Sequence, residues 1–111
     1  MSLPVITKDM SEADLDRMMQ NAQNAAQFLK AICHEGRLMI LCHLANGEKS
    51  VTELEQLLSS RQAAVSQQLS RLRAEGLVSP RREGKAIYYS LTDPRAIQIL
   101  DLVYDLFCKN N

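Results

Sequence analysis

Val51-Thr-Glu-Leu-Glu-Gln-Leu-Leu58 is followed by Ser59-Ser-Arg-Gln62 and then by Ala63-Ala-Val-Ser-Gln-Gln-Leu-Ser-Arg-Leu-Arg-Ala-Glu-Gly76. These three consecutive segments determine the fold of the chain. The first and third have the apolar spacing of short amphipathic helices, and the second has the composition of a tight polar turn. The third is rich in Ser, Gln and Arg and stops at a glycine. Together they predict a helix-turn-helix whose second helix is the recognition helix.

A basic hairpin is predicted directly after these helices. Leu77-Val78 and Arg81-Arg82 precede Ala86-Ile-Tyr-Tyr-Ser-Leu91, a run of β-branched and aromatic residues typical of a strand. We therefore expect a mainly α fold with a small β-hairpin wing, a winged helix-turn-helix. This combination is a device for reading double-stranded DNA.

The charge distribution supports this interpretation, although the formal net charge of the 111 residues is zero. Residues 61–86 hold six basic and two acidic residues, a local charge of +4, while the remainder carries −4. A basic face on a neutral chain can neutralise several phosphates, and the acidic remainder limits non-specific binding.

The rest of the chain is predicted to be helical. Residues 1–10 are expected to form a flexible arm, and residues 11–111 a single domain. The first helix begins at a Ser11 cap and ends near His34, and a short buried helix follows over 37–45. A final helix opens at Thr92-Asp-Pro94, with proline in its first turn. This last helix is apolar on two faces, so we expect the first and last helices to form a homodimer interface.

Composition limits the cellular setting. No segment approaches the roughly 18 consecutive apolar residues of a membrane span, and the N-terminus lacks the pattern of a signal peptide. Three cysteines without CxxC spacing do not form a secreted disulfide framework. We therefore expect a cytoplasmic protein with free thiols and no membrane partner.

The predicted DNA contacts lie on the recognition helix and the wing. Gln and Arg side chains can pair with adenine and guanine edges in the major groove, and basic wing residues can contact phosphates or the minor groove. The residues expected to bind DNA are Gln62, Ser66, Gln67, Arg71, Arg81, Arg82 and Lys85. A two-fold symmetric dimer would bind a near-palindromic operator.

These residues resemble the ArsR-type winged-helix repressors. The similarity lies in His34-Glu-Gly-Arg37-Leu-Met-Ile-Leu41, in Val65-Ser-Gln-Gln-Leu69 with Leu72-Arg-Ala-Glu-Gly-Leu-Val78, and in Ile87-Tyr-Tyr-Ser-Leu91. It covers about residues 25–108 and implies a homodimeric repressor that an inducer releases from its operator. Gln68 departs from the pattern, because many members carry His there. Arg61 stands where a small hydroxyl usually caps the recognition helix, and Ser60 is expected to take over the cap.

Within the family, the chain is similar to the sulfide- and persulfide-responsive branch. The similarity lies in Arg37-Leu-Met-Ile-Leu-Cys42 on the second helix and Leu106-Phe-Cys108 on the last. It implies that persulfides join Cys42 and Cys108 through a di- or polysulfide bridge, with Cys33 outside the pair. From residue physics alone, Cys42 is expected to be a buried core residue, since free cysteine is among the most buried residue types.

Three alternatives stay open at this point. A metal-responsive member of the family is one, although the helix over 51–58 has no Cys or His and the last helix has no His, so we expect no metal site. A protein-interaction module that has lost its DNA face is another, and the clustered arginines weigh against it. An enzyme is the third. The chain has no Gly-rich phosphate loop and no nucleophile–base pair, so we expect neither catalysis nor a cofactor.

Overall fold

The computed structural model describes residues 8–59 and 62–109, without the side chains of Gln62 and Ala63. The elements are, in order, α1 (Glu12–Ile32), α2 (Glu35–Leu44), β1 (Lys49–Ser50), α3 (Val51–Leu58), α4 (Gln62–Ala74), β2 (Val78–Glu83), β3 (Ala86–Leu91) and α5 (Pro94–Phe107). This is the predicted mainly α fold, with α3 and α4 as the helix-turn-helix and β2 and β3 as the wing. Ser60 and Arg61, the centre of the expected turn and its proposed cap, lie outside the described residues, as does most of the expected N-terminal arm.

The chain divides into two compact units, residues 1–30 and 31–111. Within its described part, the first unit consists of most of α1, which is capped where the sequence predicts, since the Asp14 amide donates to Ser11 Oγ over 3.1 Å. The second unit holds the end of α1 and every later element.

The core of the second unit is built from aliphatic side chains that are almost fully enclosed. It joins both helices of the helix-turn-helix to α2, β2 and α5. The buried apolar residues are Ala31, Ile32, Ile40, Leu41, Leu44, Leu54, Val65, Leu69, Leu72, Leu77, Val78, Ala96 and Leu100. Burial of these side chains holds α4 against the rest of the unit, because apolar area removed from water stabilises the packed arrangement.

Helix caps set the boundaries around the helix-turn-helix. His34 caps α2, with its Nδ1 accepting from the Gly36 amide over 3.0 Å, so α2 begins two residues before the predicted start. Ser50 and Glu53 form a capping box at α3, in which each side chain accepts from the other's backbone amide at 3.1 and 3.0 Å. The Ser50-x-x-Glu53 spacing is a sequence signature of such a box.

The recognition helix α4 ends at a glycine that turns the chain into the wing. Gly76 has φ +75°, a left-handed conformation that glycine adopts without steric cost. The Leu77 amide then donates to the Leu72 carbonyl over 3.0 Å, the six-to-one bond of a Schellman cap. The predicted end of the helix at Gly76 is therefore confirmed.

The wing is part of a three-stranded antiparallel sheet with the order β1-β3-β2, rather than an isolated hairpin. Arg81 on β2 lies opposite Tyr88 on β3, and Ser50 on β1 lies opposite Tyr88 on the other side. The two-residue strand β1 runs directly into α3, so the sheet links the wing to the first helix of the helix-turn-helix. No α-helix in the described ranges has both the length and the apolar character that crossing a bilayer demands.

Candidate functional site

A groove of about 390 Å³ separates the recognition helix from the wing. Ser66 from α4 and Lys85 from the tip of the hairpin both line it, so the structure brings together two of the predicted DNA-contacting residues. Thr52 lines it from the first turn of α3. That turn presents backbone N–H groups and the positive end of a helix dipole, which favour an anion. Thr52 is not among the predicted contacts, and the sequence signal for it is its position two residues after the Ser50 cap.

The exposed face of α4 carries further predicted contacts. Gln67 is exposed, and Arg71 is exposed with an ion pair to Glu75 at 3.8 Å one turn away. The side chain of Gln62 lies outside the described residues. A weak, solvent-exposed pair of this kind costs little to break, so Arg71 can turn toward a phosphate.

Arg37 ties α2 to the recognition helix. Its Nε donates to the Ala31 carbonyl at 2.5 Å and its Nη1 donates to Gln68 Oε1 at 3.1 Å. The Gln68 amide is therefore held with its carbonyl oxygen toward α2. The Arg37 of the family signature and the unusual Gln68 are thus hydrogen-bonded partners, a link that the sequence alone does not reveal.

The two adjacent arginines of the wing have different surroundings. Arg81 makes two hydrogen bonds to Glu48, Nε to Oε2 at 3.1 Å and Nη2 to Oε1 at 2.7 Å, and a third to Glu83 at 2.8 Å. Its guanidinium also lies 4.9 Å from the centroid of the Tyr88 ring. Arg82 instead lines a niche of about 250 Å³ together with Arg73 from α4. Neither Arg73 nor Arg82 forms an ion pair with a described residue.

The pKa values of Glu48 and Arg81 are shifted in the directions that their mutual hydrogen bonds predict. The hydrogen bonds from Arg81 hold the pKa of the Glu48 carboxyl below its ordinary value. Those from Glu48 and Glu83 raise the pKa of Arg81. Both shifts favour the charged forms, as expected of a hydrogen-bonded ion pair.

The predicted sensing thiols lie on the two helices that the sequence indicated. Cys42, on α2, lines a groove of about 450 Å³ whose opposite wall is the face of α5 formed by Ile97, Leu100, Asp101 and Tyr104. Cys108 ends α5 one turn beyond Tyr104, where its amide donates to the Tyr104 carbonyl over 2.9 Å. Cys42 is exposed, so the alternative of a fully buried core cysteine is wrong for this position.

Two effects change the ionisation of Cys42. Partial burial in the groove raises the pKa of the Cys42 thiol, and Cys108 is close enough for its charge to raise that pKa further. Cys33 is also free and exposed, in the segment between α1 and α2.

Large apolar side chains remain exposed on the two terminal helices. On α5 they are Ile97, Leu102, Tyr104, Leu106 and Phe107, of which Phe107 is 68% exposed. On α1 they are Leu15, Met19 and Leu29. Among residues 8–59 and 62–109, no three His, Cys, Asp or Glu side chains are grouped as metal ligands would be.

Comparison with known proteins identifies the family. Residues 34–79 match the family described as bacterial regulatory protein, arsR family. The biofilm growth-associated repressor of Agrobacterium fabrum is 44% identical over 100 residues, which is 90% of this chain and 86% of that protein. Among solved structures, reduced HlyU from Vibrio cholerae has a TM-score of 0.81 at 38% identity and covers 85% of this chain and 99% of that one.

The crystal structure of the transcriptional repressor BigR from Xylella fastidiosa is similar throughout, with a TM-score of 0.79 and 40% identity. The match covers 91% of this chain and all of that one. The residues that match the family include the helix-turn-helix and the helix that carries Cys42, and the relatives are named as transcriptional regulators or repressors. The chain belongs to the arsR family of bacterial regulatory proteins, with a winged-helix fold of the HlyU and BigR kind.

Proposed function

We propose that this protein is a dithiol transcriptional repressor, which binds operator DNA when reduced and leaves it when persulfides bridge Cys42 and Cys108. The observation that carries the proposal is that Cys42 on α2 lines a groove whose opposite wall is α5, the helix that Cys108 ends. The raised pKa of the Cys42 thiol, to which Cys108 contributes, agrees with this placement. The matched relatives named as repressors support the direction of regulation. A regulator of chromosomal operators acts in the cytoplasm.

The DNA-binding part of the proposal rests on the groove between α4 and the wing. Ser66 and Gln67 are presented on the recognition helix, where a major groove would meet them. Lys85 and Arg82 stand on the wing, in position to neutralise phosphates on either side. Gln62 and Arg71 are further proposed contacts.

The sensing chemistry is a pair of thiol exchange steps. The Cys42 thiolate attacks the outer sulfur of an organic persulfide, RSSH, whose S–S bond breaks; RS⁻ leaves and Cys42 becomes a persulfide. The Cys108 thiolate then attacks the Cys42 Sγ and expels HS⁻, which leaves a disulfide. If both cysteines are first persulfidated, attack of one terminal sulfur on the inner sulfur of the other expels HS⁻ and leaves a trisulfide. The inserted sulfur spans a longer gap than a direct bond allows.

A bridge between α2 and α5 is connected to the DNA-binding surface through Arg37. Cys42 lies on the same helix as Arg37, which holds Gln68 of the recognition helix. A covalent tie that shifts α2 against α5 would therefore move a residue hydrogen-bonded to α4. Bistable packing of this kind converts a small local change into a different arrangement of an element.

A homodimer completes the proposal. The apolar side chains on α5 and on α1 are too numerous to be scattered surface residues, and burial in a second copy would remove them from water. In a two-fold dimer the bridge at each α5 would change the spacing of the two recognition helices. That spacing must match one turn of DNA, about 34–36 Å, for both half-sites to be contacted.

A metal-responsive regulator is the competing function within the family. It would bind zinc or copper tightly and stoichiometrically, with loss of DNA affinity. A dithiol sensor instead binds DNA equally well with and without a chelator. An anti-activator that kept the fold and lost its DNA face would bind no operator at all.

The test is fluorescence anisotropy of the reduced protein on labelled duplex DNA from upstream of its own gene. We expect tight binding that collapses on addition of an organic persulfide and returns with reductant. The Cys108→Ser variant should bind DNA normally and ignore persulfide, whereas Cys33→Ser, the matched control, should respond like the wild type. Release of the Cys108→Ser variant by persulfide would contradict the proposed thiol pair.

A further inference from the structure

Arg81 and Arg82 are neighbours in sequence but serve opposite faces of the wing. Alternate residues of a strand point to opposite sides of the sheet. Arg81 lies opposite Tyr88 and stacks on its ring, whereas Arg82 lines the niche shared with Arg73. The two arginines are equivalent positive charges in the composition, but their surroundings in the structure are different.

Arg81 reaches across the whole sheet. It starts on β2, passes over Tyr88 of β3 and ends on Glu48, which directly precedes β1. The two hydrogen bonds to Glu48 use both carboxylate oxygens, in the fork arrangement that gives an arginine–carboxylate pair its geometric specificity. One side chain therefore connects all three strands.

The charge of Arg81 is already matched. Glu48 and Glu83 together bring two negative charges to one guanidinium, at 2.7 and 2.8 Å. A DNA phosphate would have to displace a bidentate carboxylate and would meet the remaining negative charge. Arg82 faces no such competition from a described carboxylate, so it is the better phosphate ligand of the two.

We propose that Arg81 is a positioning residue that clamps the wing to the start of α3 through Glu48 and Tyr88, and that Arg82 supplies the phosphate contact. Glu48 is joined through Lys49 to Ser50, the capping residue of α3. The clamp thus fixes the wing relative to the helix-turn-helix, so that both reach the duplex in one orientation. This inference rests on the proposed DNA binding.

Salt dependence of binding separates a clamp from a phosphate contact. The logarithm of the affinity falls linearly with the logarithm of the salt concentration, by about 0.9 for each phosphate neutralised. We expect Arg82→Gln to lower this slope by about one per protomer. Arg81→Gln should weaken binding about fivefold with an unchanged slope, because it loosens the wing without removing a released counterion.

Glu48→Gln is the deciding variant. If Arg81 is a clamp, Glu48→Gln weakens binding to the same extent as Arg81→Gln, and the double variant is no weaker than either single one. If Arg81 is a phosphate ligand restrained by Glu48, the same substitution frees it and tightens binding. Tighter binding by Glu48→Gln, or a slope lowered by Arg81→Gln, would overturn the proposal.

Amide hydrogen exchange of the free protein gives a readout that needs no DNA. Residues 78–91 should exchange faster in Arg81→Gln and Glu48→Gln than in the wild type, and at the wild-type rate in Arg82→Gln. Equal exchange in all three variants would contradict the clamp even if the protein binds no operator. Failure of the clamp and failure of the proposed DNA binding are therefore distinguishable.

Discussion

The DNA-facing end of the molecule and the groove between α2 and α5 are held together by different kinds of interaction. At the DNA-facing end, polar side chains are held by hydrogen bonds, as in the Ser50–Glu53 box, the Arg37–Gln68 bond and the Arg81–Glu48 pair. In the groove, apolar side chains surround an exposed thiol. A fixed set of hydrogen bonds suits recognition of an unchanging partner. A groove that is lined by one thiol, and whose far wall is a helix ended by a second thiol, suits a change of state.

The largest difference between the two regions is expected in stability. Leu69 on α4 is 1% exposed, so Leu69→Ala leaves a cavity in the core and should lower the free energy of unfolding by about 2–5 kcal/mol. Cys42→Ser changes an exposed side chain and should lower it by less than about 0.5 kcal/mol. Urea denaturation of both variants measures the contrast. A comparable loss in Cys42→Ser would mean that the groove belongs to the core.

The next effect separates DNA recognition from sensing. Gln67 is exposed on the recognition helix, and a side-chain pair with a base edge is worth about 1–3 kcal/mol of discrimination. Gln67→Ala should therefore weaken binding to the operator but not to a mixed-sequence duplex, as measured by anisotropy. Its response to persulfide should be that of the wild type. Equal weakening on both duplexes would show that Gln67 contacts the backbone rather than a base.

A smaller effect is expected on stability in acid. Hydrogen bonds from Arg81 lower the pKa of Glu48 from its ordinary 4.5, so this group stabilises the folded state above that pH and the contribution is lost as the pH falls through the lowered value. The melting temperatures of the wild type and Arg81→Gln should then converge as the pH falls below about 4.5. A difference between them that persists in acid would mean that the ion pair with Glu48 is not its source.

The smallest effect concerns the coupling of the two thiols. Because Cys108 is the lesser of two causes that raise the pKa of Cys42, Cys108→Ser should lower this pKa modestly. At a fixed pH close to the raised pKa of Cys42, more thiolate is then present and Cys42 reacts faster with iodoacetamide. The reaction rate of Cys42 is measured from the alkylated fraction of the tryptic peptide Leu38–Lys49 after labelling of the intact protein. An unchanged alkylation rate would show that Cys108 does not influence the ionisation of Cys42.

The two regions also differ in how much the sequence reveals. Apolar spacing and the Gly76 stop predict the helix-turn-helix and the wing because short-range patterns determine them. Periodicity cannot show that Glu48 pairs with Arg81 or that Arg37 reaches Gln68, since these contacts join residues 33 and 31 positions apart. Periodicity does not reveal the thiol pair either. The resemblance to the persulfide-responsive branch indicated it, whereas the exposure of Cys42 depends on how α2 packs against α5.

The strand β1 was missed for a physical reason as well. Two residues carry no alternation, and Lys49 and Ser50 have no strong preference for a strand. Their pairing with Tyr89 and Tyr88 is imposed by the fold around them. The cap signal at Ser50 was present in the sequence and gives the start of α3, so the boundary was predictable even though the strand was not.

Mass analysis of tryptic peptides from persulfide-treated protein shows whether Cys42 and Cys108 are bridged. Cleavage at Lys30, Arg37, Lys49, Arg95 and Lys109 places each cysteine in a separate peptide, residues 31–37, 38–49 and 96–109. We expect peptides 38–49 and 96–109 to be joined by two or more sulfur atoms and to be separated by reductant, while peptide 31–37 stays unlinked. Linkage through 31–37, or release from DNA with no linked peptides, would contradict the proposed bridge.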